Sequence, residues 1–382
     1  MHVAVLGAGY AGVALARELE RSLSDDVAIT VVDERETHVV QHLIHRLVRY
    51  PSLQDELTVP VGELLDRATH RRGRLTDVDP DAGEVTLEEG SLSYDIGAVC
   101  LGARTADYGI PGVEEYGTPL KRPRHAEGIR SEFLDVCESG GRAVVVGAGL
   151  SGVQVAGELA DLARQQGVSD NLEIRLLEQF GTVAPAFPEN FQRAVAEELT
   201  ERGVDVETGR TVEAVAADAV SLEQGESVEY DQLVWTAGIT GGDAMGGQRP
   251  QVRADLRLGE RTFAVGDAAR VVDANGEPAP ASAQTAVRQA DVAAENIERL
   301  LAYHRDGDGF RPRLERYRYD EPGWLVSVGD GTVAQVGPSV LRGKAAKALK
   351  TTVGAGYLAS VGAIERASDL VWEEVGANPV QR

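Results

Sequence analysis

Two glycine-spaced turns carry the residues best suited to chemistry in this chain. Gly7-Ala8-Gly9-Tyr10-Ala11-Gly12 and Gly147-Ala148-Gly149-Leu150-Ser151-Gly152 both read Gly-x-Gly-x-x-Gly. In such a turn the first glycine permits a tight bend and the second lets backbone approach a pyrophosphate. The third lets the following helix pack closely on the strand. The helix start adds amide donors and the positive end of its dipole, so phosphate is the expected ligand. Carboxylates complete the pattern. Asp33 and Glu34, with Arg35 beside them, follow the first turn, and Glu178 follows the second. Each stands where a carboxylate would accept bonds from a ribose diol. One such turn is weak; two in matching context imply two dinucleotides.

The elements that must hold these residues read as parallel strands and helices. Val3–Leu6 is an apolar run entering the first turn, Val13 to Glu20 a helix leaving it, and Ile29–Val32 the next strand. Arg142 to Val146 enters the second turn, with a helix from Val153 to Gln165 and a strand from Leu172 to Leu177. Asp95 to Ala103 closes on Gly102 and Ala103, and Tyr230 to Gly238 mirrors it, closing on Ala237 and Gly238. These small-residue turns are further cofactor-binding candidates. Gly73 to Ser93 reads as a β-meander, Glu189 to Arg202 as an amphipathic helix, and Val204 to Glu207 as a strand. Gly109 to Pro123 is the expected linker, before a helix over Arg124 to Cys137. Late in the chain, Phe263 to Asp267 is a strand ending in Gly266-Asp267, followed by a helix over Ala281 to Tyr303.

Composition narrows the partners. The net charge of −23 over 382 residues excludes nucleic acid, whose phosphates would be repelled. Only Lys121, Lys344, Lys347 and Lys350 are lysine, and acid-rich, lysine-poor composition fits a high-salt cytoplasm in which charge serves solubility. Cys100 and Cys137 form no CxxC, which suits a reducing compartment. The opening strand leaves no room for a leader, and no run of 18 apolar residues exists. We expect a cytoplasmic protein, at most peripheral on the cytoplasmic face of the membrane. His38, His42 and His45 share a helical spacing, but no thiolate or carboxylate completes a metal set. They read as cofactor contact or packing, and no metal is assigned.

With both turns, the late Val-Gly-Asp and a small C-terminal segment in place, the chain resembles the two-dinucleotide-binding flavoproteins. Within them it is similar to the type II NADH:quinone oxidoreductases. The resemblance rests on Ile29 to Arg35 with His38 and Gln41, Val144 to Leu159, Leu233 to Gly238, Phe263 to Ala268 and Ala283 to Gln289. It implies an α/β fold of two Rossmann-like domains, the NAD domain inserted in the FAD domain. Residues 1–115 and 250–310 would hold FAD, residues 116–249 NADH, and residues 311–382 would form a C-terminal region. Asp267 would bond the ribityl or pyrophosphate part of FAD. Glu178 favours NADH, because it accepts from a ribose diol and repels a 2′-phosphate. Hydride would pass to the flavin and electrons onward to a quinone.

Three departures from the family pattern bear on the catalytic candidates. Gln154 stands where many relatives carry Glu near the nicotinamide; it can bond a carboxamide but cannot ionise, and Glu158 lies one helical turn further on. The quinone-site stretch keeps Gln284 but has Arg288 before Gln289. Arg288 would contact a quinone carbonyl or form a surface salt bridge. The tail is also less hydrophobic than a membrane anchor. Leu341, Ala345, Leu349, Val353, Tyr357 and Val361 recur every four residues beside three lysines. That stripe fits either an interfacial helix on anionic lipid or a helix packed on the FAD domain, interrupted by Gly354, Gly356 and Gly362. Competing functions are a ferredoxin-reductase-like or diaphorase-like soluble reductase and a non-catalytic redox sensor. Sulfide oxidation lacks a cysteine after Cys137. The sequence leaves the oligomeric state open, a homodimer included.

Overall fold

Around each glycine turn the apolar runs pair in parallel. The structure, a computed structural model, describes residues 1–307, 310–320 and 323–360. The first sheet has five strands in the order Thr262–Ala264, Ile96–Val99, His2–Leu6, Ala28–Asp33 and Thr69–Arg72, all parallel. Val3 to Leu6 is wholly buried, as a central parallel strand must be when both faces are covered. The edge strand Thr69–Arg72 is polar, which explains why no apolar pattern marks it. A meander of Leu75–Asp79, Glu84–Leu87 and Ser91–Ser93 follows as expected.

The second sheet repeats the plan with Val204–Thr208, Leu172–Glu178, Gly141–Val146 and Gln232–Trp235. A second meander, Val212–Val215, Ala219–Leu222 and Ser227–Glu229, packs on it. Its strands of three or four residues are too short to show alternation in the sequence. Where the chain enters and leaves this unit, Arg104–Thr105 pairs antiparallel with Ile239–Thr240. Because Thr262–Ala264 pairs with Ile96–Val99, the first sheet draws strands from both sides of the second in sequence.

The C-terminal region is an antiparallel sheet of Trp324–Val328, Gly331–Val336 and Ser339–Arg342, then a helix Gly343–Ser360. This corrects the single-helix stripe, since Leu341 lies in a strand; Val361 and Gly362 lie outside the described residues. The helix runs through Gly354 and Gly356, buries Lys350, and is held to the first unit by the Tyr357 hydroxyl, 2.9 Å from His38 Nε2. Among the described residues no helix is long and apolar enough to cross a membrane.

The region is joined to the rest, not separate. A Cβ on Gly157 would lie 2.4 Å from the Gly329 amide, so the helix Leu150–Gln166 and the sheet turn meet backbone to backbone. Arg49 sits at the junction of all three parts. Its guanidinium reaches Glu158 at 2.7 Å, Asp330 at 2.8 Å and Asp161 at 3.4 Å, with Arg49, Glu158 and Asp161 buried. Removing one partner of a buried ion pair strands the other. Arg49→Ala is therefore expected to cost about 3–5 kcal/mol. The check is the chemical-denaturation midpoint, and an unchanged midpoint would refute a structural role for this junction.

Candidate functional site

The two turns are built by the same set of bonds. In the first, Gly7 takes φ +115° and its amide donates to Val32 O at 2.7 Å. A Cβ on Gly12 would lie 1.7 Å from Gly7 O, so only glycine admits the helix so close. In the second, Gly147 takes φ +95°, donates to Leu177 O at 2.8 Å, and Gly152 stands equally close beneath it. The strand-end carboxylates hold these turns. Asp33 accepts the amides of Ala8 at 2.7 Å and Arg35 at 2.9 Å. Glu178 accepts those of Ala148 at 2.7 Å and Phe180 at 2.9 Å. Burial alone would raise the Asp33 carboxyl, but Arg35 and the two amides bring it below the ordinary carboxylate value. Each oxygen thus already holds one amide, and the first task of both residues is to fix the loop. Glu34, half-exposed and bound to Arg122 at 2.7 Å, stands beside Asp33 at the first turn.

One cleft of about 920 Å³ connects the two turns. Gly9, Tyr10, Ala11, Asp33, Glu34, Arg35, Gln41, Gly102, Ala103 and Asp267 line it from the first unit, and Leu150, Ser151 and Gln154 from the second. Gly7, Gly12, Gly147 and Gly152 support it from beneath, and Gly149, Glu178, Ala237, Gly238 and Gly266 stand outside its lining. Gly238 takes φ +62° and abuts the Tyr108 hydroxyl. The Gly266 amide donates to the buried Gln289 Oε1 at 2.8 Å.

Arg35, singled out in the sequence, is joined in the cleft by cations that were not. Arg35, Arg74, Arg104, Lys121, Arg122 and Arg124 line it against four carboxylates, Asp33, Glu34, Asp243 and Asp267. In a chain of net charge −23, this is a local cationic surface suited to pyrophosphate. Lys121, the only lysine outside the tail, was the available signal. Leu325, Ser327, Lys350 and Val353 form a wall from the C-terminal region. Asp267 Oδ1 is buried in this cleft with no hydrogen-bond partner among the described residues. Burial pushes its carboxyl up while Lys121 and Arg249 hold it down. A buried acceptor without a donor is costly, so the site fits a group bearing hydroxyls at that point.

Comparison with known proteins agrees with this construction. The sequence profile of the pyridine nucleotide-disulphide oxidoreductases matches residues 1–290. The chain belongs to this family. It is 28% identical over 395 residues to a type II NADH:quinone oxidoreductase of Staphylococcus aureus (strain MSSA476), covering 95% of this chain and 96% of that one. Its fold is similar to NDH2 from Plasmodium falciparum in complex with NADH, with a TM-score of 0.81, 15% identity and 97% of both chains covered. It is also similar in fold to the sulfide:quinone oxidoreductase of Aquifex aeolicus, with a TM-score of 0.78, 19% identity and coverage of 98% and 93%.

Against that family pattern, the four catalytic candidates separate. Gln154 faces the cleft. Glu158 does not: its buried carboxylate is taken by Arg49, so it cannot stand in for a glutamate at position 154. Gln284 is exposed at the start of the helix Ala283–Asp306, whose Ala283 and Ala286 line the cleft instead. Arg288 is drawn away by the Asp320 carbonyl, to which it donates at 2.6 Å.

The histidines serve packing and the cleft. His38 is buried, with Nδ1 2.9 Å from Ala8 O, while His42 Nδ1 lies 2.5 Å from the Tyr10 hydroxyl. Burial lowers His38, and lowers His45 further. His125 is pushed to about 4 by burial and by Arg124 and Arg122. All three are neutral when folded and bind protons more readily when unfolded. Their contribution is therefore present above the ordinary histidine value of about 6.5 and lost as pH falls toward 4. The melting temperature is expected to fall between pH 7 and pH 4.5, and a flat profile there would refute this.

Proposed function

We propose that this protein oxidises NADH through bound FAD and passes the electrons to a quinone. It is an FAD-dependent NADH oxidoreductase, and its cofactors are FAD and NADH. The observation that supports the order of transfer is the single cleft lined by both glycine turns, which brings two dinucleotides together. FAD supplies the chemistry when bound, accepting a hydride and releasing two electrons. The protein's own part is to bind, orient and shield.

The residues divide that work along the cleft. The first turn presents backbone to the FAD pyrophosphate, with the cations that line the cleft balancing its charge. Glu34 accepts from the adenosine ribose, and Asp267 Oδ1 takes a hydroxyl of the ribityl region. Leu150, Ser151 and Gln154 open the second helix onto the same space, and Gln154 holds the nicotinamide carboxamide. Without an ionisable group at position 154, orientation alone is asked of it. The C-terminal wall combines Leu325 and Val353 with one ammonium, Lys350, a surface suited to an apolar ring bearing carbonyls. Cys100 and Cys137 are buried thiols, and burial raises both. Neither is a thiolate able to carry sulfur.

The test is spectroscopic. Purified protein is expected to show bound-flavin absorbance that NADH bleaches within milliseconds to seconds and a menaquinone analogue restores. Absence of bleaching would overturn the reading in favour of a sensor. Asp267→Asn is expected to weaken flavin retention by about tenfold, the worth of one hydrogen bond to a charged group. Equilibrium dialysis of the flavin measures this, and unchanged retention would remove Asp267 from the site.

A further inference from the structure

The NADH reading leaves open what rejects the 2′-phosphorylated nucleotide, since Glu178 spends one lone pair of each oxygen on its own loop. A nucleotide on the second turn sets its adenosine ribose over the end of the strand Leu172–Glu178. The segment flanking that end is Thr208 to Arg210. Gly209 donates its amide to Phe180 O at 2.9 Å, and Arg210 donates its amide to Glu178 O at 2.8 Å. Arg210 is therefore an arginine at the edge of the ribose site, the residue type that receives a 2′-phosphate in nucleotide folds. Its side chain is engaged elsewhere: Nε donates to Glu207 Oε2 at 3.0 Å and Nη1 to Glu226. The neighbouring arginine is engaged as well, with Arg175 bound to Glu207 at 3.1 Å and Glu173 at 3.2 Å and lying 3.7 Å from Asp205.

We propose that Glu226 and Glu207 set the nucleotide specificity of this protein by withholding Arg210 from the 2′ position. The inference rests on NADH binding at the second turn. At this strand end the Arg210 guanidinium is held by Glu207 and Glu226, and with Glu178 these make three carboxylates. A phosphate dianion arriving there meets like charge and, among the described residues, no uncommitted guanidinium, whereas a ribose diol meets acceptors. Discrimination of this kind works by repulsion of the wrong ligand, not by extra contact with the right one.

Glu226 lies in the second meander and lines no part of the cleft, so its loss leaves the reacting end untouched. Glu226→Gln keeps its shape and removes its charge. It is expected to raise kcat/KM for NADPH about tenfold while changing that for NADH less than twofold, the scale of one hydrogen bond to a charged group. The double variant E226Q/R210Q is expected to cancel the gain, because the liberated donor is gone. Rates are read as flavin bleaching by each nucleotide. An unchanged NADPH-to-NADH ratio in E226Q, or a gain that survives in the double variant, overturns the proposal. If NADH fails to bleach the unsubstituted protein, the underlying reading of the site has failed instead.

Discussion

A carboxylate at the end of a buried parallel strand, accepting an amide from the glycine turn beside it, is the contact on which the rest of this structure depends. Strand register makes it. Leu6 pairs with Val32, so Asp33 stands one residue beyond the ladder, level with the turn, and takes the Ala8 amide. Val146 pairs with Leu177, and Glu178 takes the Ala148 amide in the same way. A charge-assisted bond of this kind contributes about 1.5–3 kcal/mol. More important is what it orients, since the turn held by it aims its remaining amides at one fixed place. The second residue that each carboxylate binds, Arg35 or Phe180, begins the loop after the strand. Turn and loop are thereby locked to one another.

From this duplicated clamp the geometry of transfer follows. Both turns open on one cleft because the two units are tied where the chain crosses between them, at Arg104–Thr105 and Ile239–Thr240. Arg49 and the close contact at Gly157 then fix the C-terminal sheet against the second helix. The last part of the chain so becomes a wall of the site. The parts that frame the cleft are thus joined by strand pairing, a buried ion cluster and backbone contact.

Much of this was legible in the sequence. The glycine turns, the flanking strands and the late Gly266-Asp267 declare themselves through local pattern, because conformational demands act on single residues and short runs. Other features are carried by tertiary placement and leave no such trace. Asp33 reads as a ribose ligand, and only the register shows that it also holds the Ala8 amide. Glu158 reads as a catalytic reserve until Arg49, far away in sequence, claims it. Gln284 and Arg288 read as acceptor ligands, yet a helix presents only part of its circumference to a cleft, and Ala283 and Ala286 occupy that part. Lys350 belongs to a basic stripe in sequence and to the cleft in space. The tail reads as one amphipathic helix because a strand and a helix with apolar residues four apart look alike without register.

The first sheet takes its outer strand, Thr262–Ala264, from beyond the whole second unit. On a ribosome, Ile96–Val99 must therefore wait, with one side of its backbone unpaired, until more than half the remaining chain has been made. An apolar, unpaired strand is the kind of edge that invites pairing with other chains. Every residue of Ile96–Val99 is buried once the sheet closes, so the exposure belongs to synthesis alone. Assembly of the first unit is thus governed by the order in which the chain emerges, and the second unit completes its sheet first.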